Sequence, residues 1–206
     1  VFAYGGGTAG RSPVMETLSD SGFLGGGEGI DTCFHPDIIL PDQAQIIGDG
    51  WQLTALHTPG HIGNHLCFKY HNKLFSGDLV MGWASSLVSP PDGDLSDFMR
   101  SCRALQKTQW QEFYPGHGAP VVAPSERLAW LIAHRNGREN EILQQLRDGP
   151  TTASELTAQI YAQTPPALLQ AATRNVLAHL IDLTQRQRVR PLGVLSQAVV
   201  FELVGG

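Results

Sequence analysis

Cysteine is scarce and unpatterned in this chain. Cys33, Cys67 and Cys102 are odd in number, lie far apart and include no C-x-x-C pair. That excludes a disulfide framework and a cysteine-built zinc knot, and it points to free thiols in a reducing compartment, hence to a cytoplasmic protein. A long apolar run is also missing, so no membrane span is expected, and no leader pattern opens the sequence. Nor is positive charge in excess: 14 Lys and Arg stand against 19 Asp and Glu, a net −5. A dedicated nucleic-acid module, which is usually distinctly basic, is therefore not the first reading. No segment repeats at a fixed period.

What is present divides unevenly. Residues 1–133 carry 7 Lys and Arg and 13 Asp and Glu, net −6, whereas residues 134–206 carry 7 and 6, net +1. The first part is rich in Gly and Pro, the second in Gln, Ala and Leu. A domain boundary is expected there, separating 1–133 from 134–206. Short apolar runs at 1–4, 38–40, 45–47, 51–56, 65–70, 73–76 and 113–114 read as strands, broken by turn formers such as Gly48-Asp49-Gly50 and His71-Asn72. A short helix is expected near 13–19. Asp94 caps another, with Leu95, Phe98, Met99, Cys102 and Leu105 at helical spacing, and Ser125 starts a longer one. In the last seventy residues, helices at 139–147, at 152–161 and from Pro165-Pro166 through Leu183 precede strands at 189–191 and 198–203. Three helices and a terminal hairpin make a winged-helix pattern.

The stretch HTPGHIGNH (57–65) concentrates three histidines among turn residues. His57, His61 and His65 are four apart, but Thr58-Pro59-Gly60 and Gly63-Asn64 are hostile to a helix interior, so a helical zinc motif fails. A strand running into a tight loop remains, and it holds His61 out. Three loops share this design: TPGH (58–61), SGD (76–78) and PGHG (115–118). Glycine lets the backbone turn sharply and lets an ion approach. Imidazole nitrogen and carboxylate oxygen suit zinc, iron and manganese, and a carboxylate between two histidines can bridge two ions.

TPGH, SGD and PGHG in that order resemble the metallo-β-lactamase-fold hydrolases. VSPPDGD (88–94), HR (134–135), RE (138–139) and the winged-helix-like tail are similar to the subgroup of the β-lactamase-like protein 2 endoribonucleases. The resemblance implies an α/β (α+β) fold: an αβ/βα sandwich followed by a winged-helix-like domain. It implies His61 as a ligand of a first metal, Asp78 as the bridging, catalytic carboxylate and His117 as a ligand of a second metal. Zinc, two ions in the intact protein, is the implied cofactor, with iron or manganese as alternatives. The implied reaction is hydrolysis, in which a metal-bound hydroxide attacks an ester, thioester, lactone or phosphodiester of a small-molecule substrate. The family's His-x-His-x-Asp-His motif has no match here, and the chain opens on Val1 inside a strand pattern. The expectation is that the sandwich is represented mainly by its second half, and that an N-terminal segment of the same protein is its first partner.

Other residues take plainer readings. His57 and His65 are expected as structural loop and strand-start residues. His35, His71, His134 and His179 sit in no motif. Asp92 and Asp94 read as a turn and a helix cap, and Trp83, Ser85 and Ser86 as residues near the pocket floor. Gly5 to Ser12 approaches a phosphate loop, but Arg11 replaces the lysine and Pro13 follows at once. GGGEG (25–29) reads as a flexible rim. Arg174, Arg186, Arg188 and Arg190 near the presumed wing leave nucleic-acid binding or an endoribonuclease-like role as the alternative, and an inactive fragment as another. The preferred reading is that the tail packs on the sandwich, shaping the pocket rim or a homodimer face.

Overall fold

The computed structural model describes residues 1–23 and 30–205, so the GGGEG run at 25–29 lies outside the described residues. Two short strands, β1 (Phe2–Ala3) and β2 (Ile38–Ile39), pair in parallel, with helix α1 (Pro13–Asp20) between them in sequence. The main sheet has five strands in the order β3 (Gln45–Gly48), β4 (Trp51–His57), β5 (Leu66–Tyr70), β6 (Lys73–Gly77) and β7 (Glu112–Pro115). The first four form an antiparallel meander. Its turns fall where the sequence places them: Gly50 and His71 both take positive φ, +74° and +52°, as tight hairpins demand. The last pair, β6 and β7, is parallel and needs a crossover, which helix α2 (Leu95–Gln106) supplies.

Strand direction follows from these pairings. β4 and β6 are each antiparallel to β5, and β7 is parallel to β6. The C-terminal ends of β4, β6 and β7 therefore open on one edge of the sheet. TPGH, SGD and PGHG are the three loops that leave that edge.

One face of the sheet is buried. Cys67, Leu74 and Phe113 join Phe98, Cys102 and Leu105 of α2 and Leu128 and Leu131 of helix α3 (Pro124–Gln145) in a first core. The other face carries Phe68, Phe75 and Tyr114 in register, and Phe75 is 45% exposed.

The C-terminal part comprises the end of α3, a short 3-10 turn at Leu146–Asp148, strand β8 (Thr151–Thr152), helix α4 (Ala153–Ile160), helix α5 (Pro166–Gln185) and strands β9 (Val189–Pro191) and β10 (Val200–Leu203). Thr152 and Glu155 form a capping box that starts α4. Two details differ from expectation. The helices foreseen from 125 and at 139–147 are one helix, because Arg135 and Ile142 are buried along α3 while Gly137 faces open space. Packing of that face outweighs the roughly 1 kcal/mol cost of a mid-helix glycine. The terminal hairpin is widened to three strands, β8-β10-β9, since Val200 and Phe201 also pair with Thr152 and Thr151.

A second core collects Ile142, Leu156, Val176, Leu180, Ile181 and Phe201, and Met15, Leu18 and Phe23 of the α1 region belong to it. Ala178 of α5, in turn, belongs to the first core. Position 133/134 lies inside α3. No helix among the described residues is long and apolar enough to cross a membrane.

The phosphate-loop-like segment has a packing role. Arg11 pairs with Asp92 and Ser12 donates to Asp94 Oδ2, while Asp94 accepts from the backbone N–H groups of Ser96 and Asp97 to cap α2. A Cβ on Gly10 would overlap the Gly63 carbonyl, so glycine is needed where this segment crosses the histidine loop. Its polar side chains are thus committed to the protein.

Two tests follow from this packing. The Arg11 and Asp92 side chains are each only 9% exposed, so Arg11→Met removes a buried charge-assisted hydrogen bond and should lower unfolding stability by about 1–3 kcal/mol in urea denaturation. His179 on α5 is buried, and neither ring nitrogen has a hydrogen-bond partner among the described residues. Burial, aided by nearby Arg135, Arg138 and Arg186, pushes its pKa well below 6.5. As pH falls, the unfolded chain takes up that proton first. The contribution is full above about pH 6.5 and is lost as pH drops towards the folded value. His179→Leu should flatten the pH dependence of the urea midpoint below 6.5 without loss of stability at pH 7; an unchanged acid slope contradicts this.

Candidate metal centre

The parallel register of β6 and β7 sets Gly77 opposite Pro115, and the Gly116 N–H donates to the Gly77 carbonyl at 2.9 Å. Asp78 follows Gly77 and His117 follows Gly116, and both side chains are of types that can ligate a metal. His117 Nε2 lies 3.7 Å from Asp78 Oδ1. That carboxylate oxygen is buried and has no hydrogen-bond partner among the described residues. A Cβ on Gly116 would stand 2.6 Å from it, so glycine is what allows the two loops to close on each other.

His61 is held on the neighbouring loop. Its Nδ1 is 2.8 Å from the Leu87 carbonyl, so Nδ1–H donates there and Nε2 keeps its lone pair. Gly60 has φ +143°, and a Cβ there would overlap the backbone of Phe98 on α2. This contact seats the TPGH loop against the helix. Asp78 and His117 are brought together as a pair. Among the described residues, no group of three or more His, Cys, Asp or Glu side chains forms a metal cluster, so the structure does not gather His61 with them into one.

His65 is structural, as expected, and also supports the site. It is buried, and its Nε2 accepts the Asp78 backbone N–H at 3.2 Å. Its Nδ1 faces Thr58 Oγ1 at 2.9 Å, and that hydroxyl reaches Cys67 Sγ at 3.1 Å. Desolvation first, then the His61 charge, holds the His65 pKa down at about 3. It is therefore neutral in use, with Nδ1–H donating and Nε2 free to accept. His57, by contrast, stacks on Tyr4 at 3.6 Å and bonds the Gly63 carbonyl through Nε2.

The segment after Asp78 is tied down by its neighbours. Ser86 Oγ donates to the Asp78 and Leu79 carbonyls. From α3, Arg127 donates to the Met81 and Ala84 carbonyls, and Arg135 to the Ser86 carbonyl. Trp83 is 71% exposed and lies against Gly118, beside His117, so it borders the site on the solvent side. Arg127 and Asn175 stand in no motif, and nothing in the sequence marks their roles.

This geometry has parallels. Residues 152–194 match the β-lactamase associated winged helix domain. A β-lactamase-like protein 2 homologue of Drosophila melanogaster is 30% identical over 164 residues, covering 78% of this chain and 54% of that protein. An atrochrysone carboxyl ACP thioesterase of Aspergillus fumigatus is 29% identical over 152 residues, covering 64% of this chain and 46% of that protein. The crystal structure of a metallo-β-lactamase family protein of Thermus thermophilus matches with a TM-score of 0.72 and 26% identity, over 93% of this chain and 65% of that one. The chain belongs to the metallo-β-lactamase-fold superfamily. Within it, the similarity runs to the β-lactamase-like protein 2 homologues. The chain spans about half the length of the curated relatives it matches.

Gly116→Ala tests the closure of the two loops. The added methyl meets Asp78 Oδ1, so the carboxylate must move away from His117. Gly116 is exposed, so the thermal midpoint should shift by no more than a few degrees, while zinc affinity of the full-length protein should fall at least tenfold. Unchanged affinity in a chelator competition would show that the close approach is not needed.

Proposed function

We propose that the intact protein is a metal-dependent hydrolase of a small-molecule ester, thioester, lactone or phosphodiester. The observation that carries this is the buried Asp78 Oδ1, without a hydrogen bond among the described residues and facing His117 Nε2 at 3.7 Å. A buried carboxylate oxygen with no donor is costly unless a cation or proton completes it. An imidazole beside it, with a second imidazole whose Nε2 is free on the adjacent loop, is a donor set that zinc accepts, and iron and manganese also. We assign His61, Asp78 and His117 as the residues that would hold the metal, zinc in this reading, two ions in the intact protein, the imidazoles giving nitrogen and the carboxylate oxygen. A metal held there would supply Lewis acidity. The protein's part is orientation. His65 fixes the Asp78 backbone through its N–H, and Leu87 fixes the tautomer and plane of His61. Trp83 offers an aromatic wall beside His117 for the acyl or base portion of a substrate.

The thioester option draws on the similarity to the Aspergillus thioesterase. We assign the cytoplasm as its location, since Cys67 and Cys102 are free and buried, with burial pushing both thiols up to about 12. For the tail, divided from the sandwich near 133/134, packing is the better-supported role than nucleic-acid binding. Two of its wing-side arginines are already paired: Arg190 with Glu202, and Arg186 with Glu139 and Asp182.

Asp78→Asn in the full-length protein tests the hydrolase reading. It keeps the shape and removes the charge, so metal content and turnover of generic ester, thioester or RNA substrates should fall together, with thermal unfolding nearly unchanged. Full activity in Asp78→Asn, or turnover by the metal-free wild type, would falsify the metal mechanism.

A further inference from the structure

Two side chains that touch no ligand connect the C-terminal helix to the candidate metal site. Arg135 sits on α3, is only 3% exposed, and donates from Nη2 to the Ser86 carbonyl and from Nη1 to Asn175 Oδ1 at 3.0 Å. Asn175 sits on α5, and its Oδ1 also accepts the Val88 backbone N–H at 3.3 Å. The pair therefore grips the segment at residues 86 and 88 from two helices.

Residues 86–88 in turn hold two of the assigned ligands. Ser86 Oγ donates to the Asp78 carbonyl, and the Leu87 carbonyl accepts from His61 Nδ1–H at 2.8 Å. The Arg135 guanidinium also lies 5.2 Å over the Phe98 ring, and Phe98 is the residue whose backbone abuts Gly60 in the histidine loop. One buried cation thus reaches the Asp78 loop through a carbonyl and the His61 loop through an aromatic ring.

We propose that Arg135 and Asn175 are positioning residues for the metal site. They fix the Ser86–Val88 segment, which holds the His61 ring and the Asp78 backbone, and through Asn175 the winged-helix-like part braces the site. The inference rests on the assignment of His61 and Asp78 as ligands. It gives the tail a role in the reaction that needs no nucleic acid. Removing the clamp loosens both ligand loops at once. Removing a core side chain elsewhere does not.

The guanidinium's planar fork is needed to reach Ser86 and Asn175 together, so lysine, with a single ammonium, serves as a charge-preserving control. The experiment compares full-length wild type, Arg135→Lys, Asn175→Ala and a remote second-core variant, Phe201→Leu. It measures zinc affinity by competition with a chromophoric chelator, the visible spectrum of the cobalt-substituted protein, amide exchange over residues 78–88, and unfolding stability. Arg135→Lys and Asn175→Ala should weaken zinc 10- to 100-fold, alter the cobalt spectrum and speed exchange in 78–88. Phe201→Leu should lower stability and leave affinity and spectrum at wild-type values. Wild-type affinity and spectrum in both clamp variants would overturn the proposal while leaving the hydrolase reading intact. So would an equal affinity loss in Phe201→Leu, since that marks a general effect of stability. A wild type that holds no zinc or cobalt would instead overturn the ligand assignment, and the positioning role with it. If Arg135→Lys does not fold, Asn175→Ala carries the same comparison.

Discussion

Strand direction is the constraint on which the site depends. Four antiparallel strands alone would send successive turns to opposite edges of the sheet. Because β5 is antiparallel to both neighbours, β4 and β6 point the same way, and the parallel pairing of β6 with β7 adds a third strand end to that edge. Residues 61, 78 and 117, remote in sequence, are brought to one edge by backbone hydrogen bonding before any side-chain interaction. The side chains then refine the placement. A one-residue slip between β6 and β7 would turn every side chain of one strand to the opposite face and separate Asp78 from His117.

The second layer of control is the order of protons. Asp78 offers its backbone N–H to His65 Nε2, which requires a bare nitrogen, and His65 donates from Nδ1–H to Thr58 Oγ1. Thr58 faces Cys67 Sγ, and that thiol in turn faces the Ser76 carbonyl. The chain begins and ends on the SGD loop. His65 donates from Nδ1 and accepts at Nε2, so protonating it would set two N–H groups against each other. Burial keeps that from happening, since it disfavours the charged imidazole more than the hydrogen bond His65 donates to Thr58 favours it.

Much of this was legible in the residues. Turn chemistry at Gly48-Asp49-Gly50 and His71-Asn72 marks the hairpins, Asp94 marks the start of α2, and the three glycine-flanked loops mark the strand ends. Glycine in those loops has a physical reason that a sequence can hint at but not display: at Gly60 and Gly116 another part of the protein occupies the space of a side chain. The continuity of α3 was hidden because Gly137 and the polar run around it look like a break, whereas buried Arg135 and Ile142 pay no attention to local polarity once they are packed. The third strand of the tail sheet was hidden because Thr151-Thr152 is too short to carry a pattern and exists through its pairing with β10. Arg11 and Ser12 resembled a phosphate cradle, and only tertiary structure shows that their partners are Asp92 and Asp94. Arg127 and Asn175 could not be found at all, since a side chain that binds a main-chain carbonyl or N–H leaves no trace in the identity of its partner.

Helix α1 shares its core with residues near the other end of the described chain, Met15 and Leu18 lying in one cluster with Leu180 and Phe201. During synthesis, Leu180 and Phe201 follow this apolar face by roughly 160–190 residues. At about 5–20 residues per second the wait is on the order of 10–40 s, long compared with local helix and hairpin formation. Over that interval α1 lacks part of the native surface that covers it. Strand β10, which completes this cover, is therefore made long after the helix it closes over.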